Sequence, residues 1–297
     1  MSAGDVVLEQ GGLSLVVSPQ GGVVRHFRLR IGGRDVPLLR EPPPGSAGGA
    51  LESACFPLVP FGNRLRGNRF RHQGRDYHLP ANRPGDPLYL HGDGWLADWT
   101  VAARAADRVV LRMEHRSDVY AYRAEQEFRL DPAGLTMTLA VSNAGAVAMP
   151  FGLGWHPYFT RTPAARLTVR ARARWEEDAA FLPTVRVPVQ GDLDFAAGAP
   201  LPGRWVNSCF EGWDGVAEIA WPERDLCLRI QADRLFDRFV LFLSDPSFEP
   251  SYRQEHFCFE PMSHSVAAHT MAGGGGLRSL EPGEALSGSM RLTWRTG

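Results

Sequence analysis

Lysine is absent from this 297-residue sequence: all 32 basic residues are arginine. That bias is the mark of an arginine-favouring genome, so no single Arg gains significance merely from not being Lys. Cysteine is scarce as well. The four thiols, Cys55, Cys209, Cys227 and Cys258, are scattered with no close pair, which excludes zinc-type spacing and a dense disulfide framework. Each reads as a small buried hydrophobe. Net charge is also lacking: the formal value is −1, which argues against an electrostatic nucleic-acid binder. Long apolar runs are missing, none reaching the ~18 residues of a membrane helix. Met1–Gln10 carries acidic residues and no apolar stretch, so no signal peptide is expected there, and a reducing cytoplasm fits.

The familiar chemical motifs are missing too. Nine histidines are present, yet none forms H-x-x-x-H or H-E-x-x-H. There is no G-x-S-x-G elbow, no Walker A loop and no G-x-G-x-x-G after a strand. The tetraglycine at 273–276 lacks the Lys and Ser/Thr of a phosphate loop. No metal and no cofactor are therefore expected, and proton transfer is favoured over covalent catalysis.

What is present is strand grammar from end to end. An apolar fraction of 44% and a charged fraction of 22% are those of a globular protein with a full core. Apolar and polar residues alternate over Leu13–Ser18, Val23–Ile31, Val109–His115, Glu125–Leu130, Leu135–Ser142, Arg166–Ala173, Leu226–Ala232, Phe239–Leu243 and Leu286–Trp294, the pattern of half-buried strands. Gly-, Pro-, Asn- and Asp-rich turns separate them, and Asp131-Pro132-Ala133-Gly134 marks the clearest hairpin. Helical periodicity is nearly absent, so the fold class is all-β. Glu41–Gly49 and Met271–Gly276 look like linkers, but strand patterns continue on both sides without a shift in composition. They read as loops of one domain spanning 1–297.

Four segments break this grammar by mixing Gly, Pro, aromatics and ionisable groups. Phe56–Arg64 (FPLVPFGNR) takes an irregular path that fixes Asn63 and Arg64; Arg64 reads either as a fork for hydroxyls or carboxylates or as a solvated surface Arg. Tyr89–Trp99 (YLHGDGWLADW) sets His91 before Gly92, where a ligand can approach closely; Trp95 and Trp99 read as core. Phe151–Phe159 (FGLGWHPYF) places His156 in an aromatic shell that tunes proton affinity. A satisfied core His is the rival reading. In His256–His264 (HFCFEPMSH) an apolar strand ends in Glu260, where burial raises a carboxyl toward neutrality and suits a general base. A salt-bridged Glu is the alternative.

These segments, in this order, resemble the aldose 1-epimerase (galactose mutarotase) family. The matching features are P-x-x-P-F-x-N-R at 57–64, His-Gly at 91–92 with a downstream Trp, H-P-Y-F at 156–159 and E-P-M at 260–262, within a likeness covering about residues 10 to 294. The resemblance implies a large antiparallel β-sandwich and a soluble isomerase that interconverts the α and β anomers of a free monosaccharide. It implies Glu260 as base, taking the C1 hydroxyl proton, and His156 as acid toward the ring oxygen. By the same carry-over His91 bonds near the ring oxygen, and Asn63 and Arg64 contact sugar hydroxyls. One departure stands out: Asn207 occupies a place where the family pattern has a sugar-binding Asp, which removes a negative charge near the sugar. Asp214, in the turn Gly212–Gly215, is a candidate substitute ligand, with a turn residue the favoured reading. A sugar-phosphate mutarotase with charge from Arg64, Arg66 and Arg69, and a non-catalytic sugar-binding domain, are the competing functions. The acid–base assignment expects His156 and Glu260 to face each other across one pocket, ~5–7 Å apart.

Overall fold

The computed structural model describes residues 4–43, 45–46 and 48–296. Two large antiparallel sheets, one of 11 strands and one of nine, make up most of it. The nine-stranded sheet is built around a meander in which Arg108–Arg116, Ala121–Asp131 and Gly134–Asn143 pair in sequence and Ala285–Arg295 closes on the last. The predicted hairpin turn is present: Asp131 Oδ1 accepts the N–H groups of Ala133 and Gly134 at 2.8 and 3.1 Å. Gly134 is required there, since a Cβ would meet the Leu292 carbonyl oxygen at 2.1 Å.

Alternation does its work through burial. Leu135, Met137, Leu139 and Val141 point one way from their strand into the interior. They meet the inward residues of the larger sheet, among them Trp155, Phe159, Phe239, Leu241, Phe257 and Phe259, in one apolar cluster. Each such side chain contributes about 1.5–3 kcal/mol on burial. All four cysteines are buried free thiols. No helix among the described residues is long and apolar enough to cross a membrane.

Most expected strands are found within a few residues of their expected ends. Arg166–Ala173 is the exception. It breaks into Arg166–Val169 of the nine-stranded sheet and Ala173–Glu177 of the other, so residues 170–172 carry the chain across between sheets. Leu167, Val169 and Ala173 remain buried throughout, so a period of two continues while the partner sheet changes. The glycine run is packed, too: Ala272–Gly276 forms a short 3-10 segment, and Ser265 N–H donates to the Gly275 carbonyl.

Candidate active site

Neighbouring strands of the 11-stranded sheet, Cys55–Leu58, Gly154–Thr160, His256–Met262, Arg238–Leu243 and Val206–Glu211, lie side by side in that order. Odd-numbered aromatics of the three middle strands face the core. Period two then places Phe56, His156, Tyr158, His256, Cys258, Glu260, Val240 and Phe242 on the opposite face, with Asn207 and Cys209 beyond. Register brings them into rows: His156 pairs with Phe56, Tyr158 with Cys258, Val240 with Glu260, and Asn207 with Phe242. A cavity of about 290 Å³ opens above this floor, the size of a small-molecule site.

His156 and Glu260 owe their meeting to register. The flanking pairs Gly154↔Met262 and Tyr158↔Cys258 put them directly opposite one another, and the ladder is interrupted between those pairs. Pro157 and Pro261, which have no N–H to give a ladder, stand beside them. Nε2 of His156 lies 3.3 Å from Oε1 of Glu260, and both side chains are buried. The expected separation of ~5–7 Å was therefore too long. Nδ1 of His156 and Oε2 of Glu260 have no hydrogen-bond partner, which is unusual for buried polar atoms.

Burial drives both groups toward neutrality. The His156 imidazole is pushed down to about 3 by burial and then by the Arg40 charge. Its ring is stacked between Phe56 and Tyr158, at 4.5 and 4.7 Å between centroids. Burial raises the Glu260 carboxyl well above the usual range, opposed only by the Arg64 charge. Burial thus favours the uncharged form of each group.

Above the floor, Asn63 and His91 lock each other in place. Both have positive φ, 59° in each case. The His91 N–H donates to the Asn63 carbonyl at 3.0 Å, and the Asn63 N–H donates to His91 Nδ1 at 3.1 Å. An accepting Nδ1 leaves the proton of this neutral ring on Nε2, as a donor; burial holds the imidazole well below its ordinary value. Gly92 is indispensable to this turn, since a Cβ would lie 2.3 Å from the Val59 carbonyl oxygen. Asn63 Oδ1 accepts the Arg64 N–H. Arg64 in turn is clamped: Nε and Nη2 donate to Asp86 Oδ2 at 3.1 and 2.8 Å, and the guanidinium covers the Phe181 ring.

Six of the seven residues singled out from sequence, Asn63, Arg64, His91, His156, Asn207 and Glu260, line this one cavity. The seventh does not. Asp214 is exposed and accepts the Val216 N–H at 3.1 Å, as a turn residue does. Glu177 accepts from Asn207 Nδ2 at 2.7 Å and from Trp205 Nε1 at 2.8 Å, so a carboxyl group stands behind Asn207. Burial raises its pKa, and these two hydrogen bonds oppose the rise.

The remaining walls include Arg40, Arg83, Tyr158, Phe181, Trp205, Phe242, Phe248, Glu249 and His256. His256 and Trp205 were open to discovery, being two-residue steps from Cys258 and Asn207 on the same strand faces. Arg40, Arg83, Phe181 and Glu249 arrive on loops that period-two reasoning does not place. His156, Cys258 and Glu260 also form the one group of potential metal donors among the described residues, within 4.8 Å of one another. Burial and the adjacent Glu260 raise the Cys258 thiol well above its usual value, which disfavours the thiolate that metals require.

The family model for aldose 1-epimerase matches residues 5–293. The Escherichia coli K12 protein YphB is 43% identical over 291 residues, covering 97% of this chain and 98% of that protein. A solved structure from the same organism superposes with a TM-score of 0.93 at 41% identity over 99% of both chains. A galactose mutarotase-like protein from Clostridium acetobutylicum shares the fold, with a TM-score of 0.85 at 18% identity, covering 99% of this chain and 95% of that one.

Proposed function

The chain belongs to the aldose 1-epimerase family, and from that premise we propose that it interconverts the anomers of a free aldose, with Glu260 and His156 moving the protons. Family membership supports a sugar isomerase. The observation that supports the residue assignment is the buried pair itself: two proton-carrying groups 3.3 Å apart, each with one unpartnered polar atom, on the wall of a sugar-sized cavity.

The proposed step starts from the uncharged pair, with its transferable proton on the Glu260 carboxyl. Passage of that proton along the Glu260–His156 contact converts the resting state into carboxylate and imidazolium. Glu260 then accepts the C1 hydroxyl proton while His156 protonates the ring oxygen. The C1–ring oxygen bond breaks, C1 becomes an aldehyde and rotates, and the reverse transfers close the other anomer. Low dielectric makes the carboxylate–imidazolium state costly, which favours the transfers to and from the sugar that return both groups to neutrality. The Nε2–H of His91 is placed to donate to the sugar near the reacting oxygens, and Asn63 and Arg64 to hold hydroxyl groups.

Exchange NMR or polarimetry on freshly dissolved aldoses tests the proposal. Anomer exchange should accelerate with the wild-type protein and lose most of that acceleration with Glu260→Gln. Full activity in that variant would overturn the assignment.

A further inference from the structure

Arg40 has no place in the proton transfers above, yet it forms part of the same cavity wall. It is 9% exposed. Its Nε donates to the Ser53 carbonyl at 3.0 Å and its Nη2 to the Leu51 carbonyl. Its guanidinium lies 3.4 Å from the centre of the Tyr158 ring, and Nη1 is 3.5 Å from His256 Nε2. None of these partners is negatively charged, and no carboxylate among the described residues pairs with it. A guanidinium this buried ordinarily has a counter-ion.

We propose that Arg40 receives a negatively charged substituent of the sugar, and that the substrate is a monoanionic aldose, a hexuronate being the simplest case. The inference rests on the anomerase reading and narrows its substrate. Three features carry it. Arg40 is held by two carbonyls through Nε and Nη2 and meets His256 through Nη1, so one guanidinium with few uncommitted N–H groups lines the cavity. That suits a singly charged oxyanion better than a phosphate dianion, which calls for several donors. The other cations on the wall do not supply them: Arg64 is committed to Asp86, and Arg83 is exposed.

Position agrees with chemistry. Tyr158 stacks on His156 at 4.7 Å and carries Arg40 on its ring, so Arg40 is set apart from the proton-transfer pair. A substituent remote from C1 needs that offset.

The test compares anomer exchange at neutral pH for glucose, glucuronate and glucose 6-phosphate, and for galactose and galacturonate. The wild type should show kcat/KM at least ten-fold higher for the hexuronate than for the matching hexose or the hexose phosphate. In Arg40→Gln that ratio should fall to near one, while Arg40→Lys keeps part of it. Thermal melting establishes whether each variant is folded; if Arg40→Gln is not, the wild-type ratio alone decides. Equal or better turnover of the neutral hexose overturns the anionic substrate and leaves the anomerase reading standing. Preference for the phosphate overturns the monoanion, and an unchanged ratio in folded Arg40→Gln removes Arg40 as the recognition point. Acceleration of none of these sugars removes both readings together.

Discussion

Glu260 stands directly opposite His156 across two antiparallel strands, and the side chains meet at 3.3 Å in a gap of the hydrogen-bond ladder flanked by Pro157 and Pro261. Under the proposed mechanism neither residue moves the proton usefully without the other. Glu260→Gln and His156→Gln should each cost about 10²–10⁴ in kcat, and the double variant little more than either single one. Single-turnover anomer exchange measures all three; additive losses would mean the residues act separately.

The pH dependence follows from the same contact. Activity requires one proton on the pair. The acid limb comes where a second proton arrives, and for His156 that is pushed down to about 3 rather than 6.5. The alkaline limb comes where the lone proton leaves, above the carboxylate range because Glu260 is raised. The acid limb of a kcat/KM profile should therefore lie well below pH 6.5. An acid limb centred at 6.5 would contradict it.

Stability carries the opposite signature. His91, His156, His256, His264 and His269 are all lowered by burial. Below about pH 6.5 the unfolded chain binds protons that the folded chain refuses, so stability falls on acidification toward pH 4. Each imidazole contributes about 1.4 kcal/mol per pH unit in that window. Glu260, Glu177 and Asp93 have the reverse sign, their protons being held more tightly when folded, but the five imidazoles outnumber them. Denaturant unfolding at pH 7 and 5 should show a marked loss at pH 5.

Asn207→Asp would set a carboxylate against Glu177 at the present 2.7 Å contact. The substitution should destabilise the protein by about 1–3 kcal/mol, and adding Glu177→Gln should restore most of it. Thermal melts of the two singles and the double measure that coupling.

Asp86 positions Arg64 without lining the cavity. Asp86→Ala should raise KM roughly ten-fold with kcat changed by no more than about three-fold, the pattern of lost substrate binding. Breaking this buried ion pair should also cost on the order of 3 kcal/mol of stability. Steady-state kinetics separates the two effects.

Fold class was legible because alternation and turn residues are local, and burial follows them strand by strand. The site was legible where it rides on strands, as with His156 and Glu260. Asn63, Arg64 and His91 were legible because prolines and glycines mark their loops. Arg40 and Glu177 were not, since each meets the site from a distant loop or sheet edge with no local signal. Asp214 misled because an aspartate beside two glycines serves a turn as readily as a ligand.

The register that sets His156 against Glu260 joins strands far apart in the chain, through non-local contacts that are slow to form. The Asp131–Gly134 hairpin, by contrast, closes on its neighbours. During refolding, strand structure should thus be regained before enzymatic turnover, and the proton-transfer pair would act as a clock for the last closure of the larger sheet.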